Sequence, residues 1–246
     1  MPFLSEINIP SFNINDYPFN IPSLKNGVKL KLRNNVTFFV GENGSGKSTL
    51  LETVAETIGF SLRGGNKNHN LNIGQNFNGY ESPLAEQTKL VWTPKRLTNG
   101  FFMRAESFFN FADYIDEIAR EDSTIYDAYG GKSLHHQSHG ESFLSLFTNK
   151  FEKGIYILDE PEAALSPARI LSFMTIINQL EKSGKAQFLI ATHSPMLLCY
   201  PGADIFSFDE NGIQSVDYET KEHYSLTKNF LNNPDAYFRF LFSNED

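Results

Sequence analysis

Nine residues, Gly41-Glu42-Asn43-Gly44-Ser45-Gly46-Lys47-Ser48-Thr49, restrict what this chain can fold into more than any other stretch. They read G-x-x-x-x-G-K-[ST] and stand between segments of different periodicity. Ahead lies VTFFV at 36–40, a β-branched and aromatic run with the pattern of a buried strand. Behind, Leu50, Leu51, Val54 and Ile58 recur at helical spacing across 47–62. Strand, glycine-rich loop and helix in that order make a phosphate cradle. The glycines let backbone N–H groups turn inward, and the helix start adds partial positive charge. Lys47 is placed to reach the β- and γ-phosphates, and Ser48 to offer a hydroxyl to Mg²⁺. A glycine-rich turn that merely caps a helix is the bland alternative, and strand, loop, lysine and serine together speak against it.

The rest of the chain repeats the alternation. Residues 28–33 put Leu30 and Leu32 on one face and Lys29, Lys31 and Arg33 on the other. The early stretch reads as short strands broken by Pro10, Pro18 and Pro22. The Gly- and Asn-rich residues 64–80 argue against regular structure. Strand-like runs recur at 90–92, 101–103, 155–158 and 188–191, with a helix near 167–182 and a helical, aromatic-rich section over 106–152. A hairpin follows at 205–208 and 213–216, then a Phe/Tyr-rich helix that reads as core or as a dimer contact. The expected fold is α/β, a mixed sheet with a helical subdomain near 106–152, in one domain spanning 1–246.

Ile155-Tyr156-Ile157-Leu158-Asp159-Glu160-Pro161-Glu162 carries the second chemical signal. A buried strand ending in two acids presents carboxylates at the C-terminal edge of a sheet, where open α/β sheets bind ligands. There Asp159 would hold Mg²⁺ through water and Glu160 would polarise an attacking water.

Composition narrows the partners. The 246 residues carry a net charge of −8, which excludes a strongly basic nucleic-acid binder as a description of the whole chain. The Lys29, Lys31 and Arg33 face reads as the solvated side of an edge strand, with phosphate-backbone contact as the alternative. Cys199 is the single cysteine, so no intramolecular disulfide forms and a reducing, cytoplasmic setting is expected. No apolar run nears the roughly 18 residues of a membrane span. The first ten residues lack the basic and apolar regions of a secretory leader.

The order GENGSGKST, QSHGES at 137–142, ILDEPE at 157–162, ALSP at 164–167 and ATHSP at 191–195 resembles that of the ABC-type ATPases. The chain is similar in particular to the small stand-alone ATPases of the RecF/SMC branch, in VTFFVGENGSGKSTLLE and GFFMRAESFF. Only 91 positions separate Lys47 from Ser138, which leaves no room for SMC-type coiled-coil arms. The resemblance implies a P-loop NTPase of the ABC type, with ATP and Mg²⁺ as cofactors. Two copies would pair on ATP, each phosphate loop facing the other copy's signature.

That signature would be Ser138, His139, Gly140 and Glu141, a departure from the transporter-type LSGGQ, with His139 and Glu141 replacing the first Gly and the Gln. Ser-x-x-Glu is also a capping box, and a capped helix start can itself be an anion site. The resemblance makes His193 the switch histidine beside the γ-phosphate and puts Ser166 where many relatives carry the D-loop Asp. Glu106 is preferred over Gln75 for the glutamine-loop role at the metal, and Tyr17 and Phe19 are candidates to stack on adenine. His135, His136 and His139 overlap the signature and read as part of it rather than as a metal site. The implied function is an ATPase, splitting ATP with water into ADP and phosphate, that drives or gates an unidentified effector protein in DNA repair or anti-phage defence. A nucleic acid is a further candidate ligand. The ATP-binding subunit of a transporter and an ATP-state regulatory switch are the rival readings.

Overall fold

The computed structural model describes residues 1–62, 82–94, 97, 99–105, 108–129, 131–136, 139–150 and 153–243. In chain order these form β1 (Leu4–Ile9), α1 (Pro22–Lys25), β2 (Val28–Lys31), β3 (Val36–Gly41), α2 (Lys47–Ile58), α3 (Pro83–Gln87), β4 (Lys89–Trp92), β5 (Gly100–Arg104), α4 (Phe108–Ala119), α5 (His139–Lys150), β6 (Gly154–Asp159), α6 (Pro167–Lys182), β7 (Ala186–Ala191), α7 (Pro195–Leu198), β8 (Asp204–Asp209), β9 (Gly212–Ser215), α8 (Glu222–Asn232) and α9 (Pro234–Leu241). The Gly- and Asn-rich 64–80 lie outside the described residues.

Six strands make the main sheet in the order β5-β6-β7-β3-β8-β9, parallel throughout except for the β8–β9 hairpin. The inner strands β3, β6 and β7 are buried along almost their whole length because both faces are covered. Alternate residues go to opposite cores. Val36, Phe38, Val40, Tyr156, Leu158, Phe188 and Ile190 join Phe143, Phe147 and Phe173 of α5 and α6. Phe39, Ile155, Ile157 and Leu189 join Leu50, Leu51 and Val54 of α2. The aromatic helices α4 and α5 thus pack on one face, and the helix after the phosphate loop on the other.

A separate antiparallel sheet, β2-β1-β4, flanks the α2 side. β2 is an edge strand that buries Val28 and Leu30 and exposes Lys29 and Lys31, so the alternation in the sequence is a half-buried strand. Gln187 fastens this sheet to the main one. Its buried Oε1 accepts from the N–H groups of Phe3 and Leu4 at 2.9 and 2.8 Å, and its Nε2 donates to Leu4 O at 2.8 Å.

Three expectations change. Pro22 opens the short α1 rather than breaking a strand. The helix after the phosphate loop stops at Ile58, because Gly59 takes a left-handed φ of 96°. The C-terminal aromatic helix is two helices, split where Asn233 caps α9 ahead of Pro234. Neither buries a residue, and Phe240 (82% exposed) and Phe242 (73%) lie on the surface, so the core reading of this segment fails. The rings pack on each other instead, Phe230 against Tyr237 and Phe238, and Phe238 against Phe242.

Candidate functional site

Parallel pairing brings the chemical residues to one edge. Arg104 lies opposite Asp159 in the β5–β6 register, and Asp159 opposite Ala191 in β6–β7. Phe39 lies opposite Ala191, two residues ahead of Gly41. The phosphate loop, the acid pair and His193 therefore all leave the C-terminal ends of neighbouring strands, where an open parallel sheet binds ligands.

At Gly46 the loop is shaped by contacts that tolerate no side chain. A Cβ on Gly46 (φ 100°) would stand 2.8 Å from Ile21 Cγ2 and 2.9 Å from Ser23 Oγ. Ser23 Oγ in turn donates to Ser45 O, so α1 braces the loop from below. A Cβ on Gly44 would meet nothing within 4 Å, which fits a position open to a ligand. Lys47 is buried, and its ammonium donates to Gly41 O at 2.8 Å and Glu42 O at 2.9 Å. Burial pushes its pKa down, while Glu160, Asp159 and Glu162 pull it back up. Ser45 Oγ is buried with no hydrogen-bond partner among the described residues. A buried cation and an orphaned hydroxyl in one loop suit an anion.

Ser48 Oγ donates to Asp159 Oδ1 at 3.1 Å, joining hydroxyl and carboxylate in the hard-oxygen set that Mg²⁺ takes. Asp159 Oδ2 accepts from Arg104 Nε at 2.9 Å, and Arg104 Nη2 reaches Glu52 Oε1 on α2 at 2.8 Å. The sequence gives no sign of this bridge, because only the β5–β6 register brings Arg104 to Asp159.

Glu160 holds φ 51° and ψ 51°, the one described non-glycine residue with positive φ. Left-handed backbone at such a residue costs about 1–3 kcal/mol and persists where its surroundings enforce it. Its N–H donates to Ala191 O at 3.0 Å, and its Oε1 stands 3.5 Å from His193 Nε2. Glu162 fixes the histidine's backbone. Its Oε1 accepts from Thr192 Oγ1 at 2.7 Å, His193 N at 2.6 Å and Ser194 N at 3.1 Å. Glu162 and Arg104 are the site residues that motif reading overlooks, and the Glu in DEPE was the available clue to the first.

Other expected residues fall elsewhere. Ser138, Glu106 and Gln75 lie outside the described residues. His139 and Gly140 open α5, and Glu141 in its first turn pairs with Arg169 of α6 at 3.5 Å. Ser166 precedes α6 as its N-cap without a side-chain capping bond. His135 Nε2 contacts Asp113 at 2.7 Å. Tyr17 is 70% exposed, with its hydroxyl 3.4 Å from Thr49 Oγ1, beside the loop. Phe19 is half-buried, edge-on to Phe12.

Sheet order, phosphate loop and acid-ended strand define an α/β P-loop domain of the ABC ATPase type. The chain superposes on cbiO1 from Clostridium perfringens, part of the ABC transporter complex cbiONQ, with a TM-score of 0.52 at 17% identity, over 97% of this chain and 100% of that one. Two further solved structures give lower scores. MJ1267, an ATP-binding cassette of an ABC transporter in its ADP conformation, has a TM-score of 0.48 at 15% identity, over 99% of this chain and 100% of that one. An SMC head domain from Thermotoga maritima has 0.47 at 13%, over 88% and 99%. The chain belongs to the family described as AAA domain, putative AbiEii toxin, Type IV TA system, whose model matches residues 66–198. That match starts after the phosphate loop and takes in Asp159, Glu160 and His193. No curated protein matches the chain in sequence. Among the described residues no helix is long and apolar enough to cross a membrane.

Proposed function

We propose that this chain binds ATP with Mg²⁺ and hydrolyses it to ADP and phosphate, and that this cycle drives or gates a partner protein. The observation that carries the reading is the meeting of 41–49, Asp159, Glu160 and His193 on one sheet edge, with Ser48 already bonded to Asp159. The backbone N–H groups of 41–49 and the Lys47 ammonium hold the β- and γ-phosphates. Ser48 and Asp159 hold Mg²⁺, which when bound supplies positive charge against the phosphate oxygens. Glu160 takes a proton from water as its oxygen attacks the γ-phosphorus, and the bond to the bridging oxygen breaks toward ADP. His193, beside Glu160, orients that water and donates to a γ-phosphate oxygen.

Two copies would close head to tail, with Ser138, His139, Gly140 and Glu141 of each meeting the other's nucleotide. Glu106 would complete the metal's surroundings. The family's description, which speaks of a toxin and a toxin–antitoxin system, favours defence over DNA repair or transport as the setting. A single cysteine suits a cytoplasmic one. The test is calorimetry with ATP on the wild type and Lys47→Ala. The wild type should bind, and the variant should lose at least about a hundredfold in affinity, since the loop loses its cation. Equal affinity would refute the site.

A further inference from the structure

The phosphate loop is roofed by a part of the chain that no motif marks. A cavity of about 930 Å³ opens over 41–45, and its lining includes His193 together with Lys221 and His223 of the C-terminal segment. His223 sits in the first turn of α8. Its Nε2 is buried and has no hydrogen-bond partner among the described residues. Leaving a buried imidazole nitrogen unpaired costs free energy unless something arrives to bond it.

The surroundings say what would arrive. The charges of His193 after β7, Lys221 at the start of α8 and Lys47 of α2 all bear on the His223 ring. The acids lining the same cavity, Glu42 of the phosphate loop, Asp209 at the end of β8, Glu210 of the β8–β9 turn and Glu222 of α8, are exposed residues. Two lysines and a second histidine around a desolvated imidazole nitrogen suit an anion. The anion this cavity takes on the reading above is the nucleotide's phosphate chain. We propose that His223 is a phosphate-binding residue of the nucleotide site, which couples the α8–α9 pair to the presence of ATP. This rests on the ATP-binding reading and extends it to a residue 176 positions beyond Lys47.

A proton follows. Without nucleotide, burial first, then His193, Lys221 and Lys47, keeps the His223 pKa below its ordinary value. A phosphate oxyanion reverses the sign of the local field, so binding draws a proton from solvent onto the ring. ATP affinity should therefore rise as pH falls from 8 toward 6.

The experiment is ATP calorimetry in EDTA, which withholds Mg²⁺, at both pH values and in two buffers of different ionisation enthalpy. It compares wild type, His223→Gln, His223→Asn and Lys47→Ala. Expected are proton uptake by the wild type, about tenfold weaker binding at pH 6 in both His223 variants, and a flatter pH dependence in them. A His223 variant matching the wild type in affinity and proton uptake, while Lys47→Ala loses binding, overturns the inference and leaves the ATP site standing. A wild type that binds no ATP overturns both. If neither His223 variant folds, the wild type decides, and an absence of proton uptake refutes the proposal.

Discussion

Glu162 accepts three hydrogen bonds through one oxygen, and all three donors belong to the segment 192–194. It therefore fixes where His193 leaves the sheet, two residues beyond the acid that His193 contacts. Glu162→Ala would strand two backbone N–H groups and a hydroxyl, at a cost of about 2 kcal/mol of stability. We expect phosphate release to slow by about tenfold or more with ATP affinity little changed, and Glu162→Gln, which keeps an acceptor, to recover most of the rate. Unchanged turnover in Glu162→Ala would show that His193 needs no such support. At this scale the sequence was readable wherever a role is local. The loop of 41–49 and the Asp159-Glu160 pair carry their meaning in consecutive residues. Arg104, Glu162 and His223 do not, because each acts on a residue that only strand register or tertiary packing brings near.

Among the elements, Gln187 shows how a buried polar side chain joins two sheets that share no strand. Its three bonds to Phe3 and Leu4 replace the ladder that β1 does not form with the main sheet. Gln187→Leu fills similar space but leaves those backbone groups unpaired, so it should cost about 3 kcal/mol and lower the melting temperature by several degrees. ATP affinity should hold, since Gln187 lies near the start of β7 and His193 follows its end. An unchanged melting temperature would mean that the small sheet is held by its apolar face alone. The strands themselves were legible from their apolar runs. That β1, β2 and β4 form a second sheet was not, because antiparallel partners far apart in sequence leave no periodic trace. The C-terminal segment misled for a related reason. Aromatic richness suggests burial, yet α8 and α9 bury no residue, and Phe240 and Phe242 lie on the surface.

For the whole molecule, the two-faced core explains why the site can be rigid. α2 packs on one face and α5 with α6 on the other, so the strand ends bearing Gly41, Asp159 and His193 are clamped from both sides. Such a frame holds Glu160, the acid that the proposed cycle uses to activate water, in a strained backbone conformation. On the proposed cycle, Glu160→Gln should bind ATP as the wild type does and accumulate as an ATP-bound pair of chains, seen by light scattering as a doubled mass. The central claim is that this edge splits ATP with Glu160 as the base. Its most direct test is the rate of phosphate release from ATP and Mg²⁺ by wild type and Glu160→Gln. The rate should be about a hundredfold or more lower in the variant. Equal rates in the two proteins would contradict it.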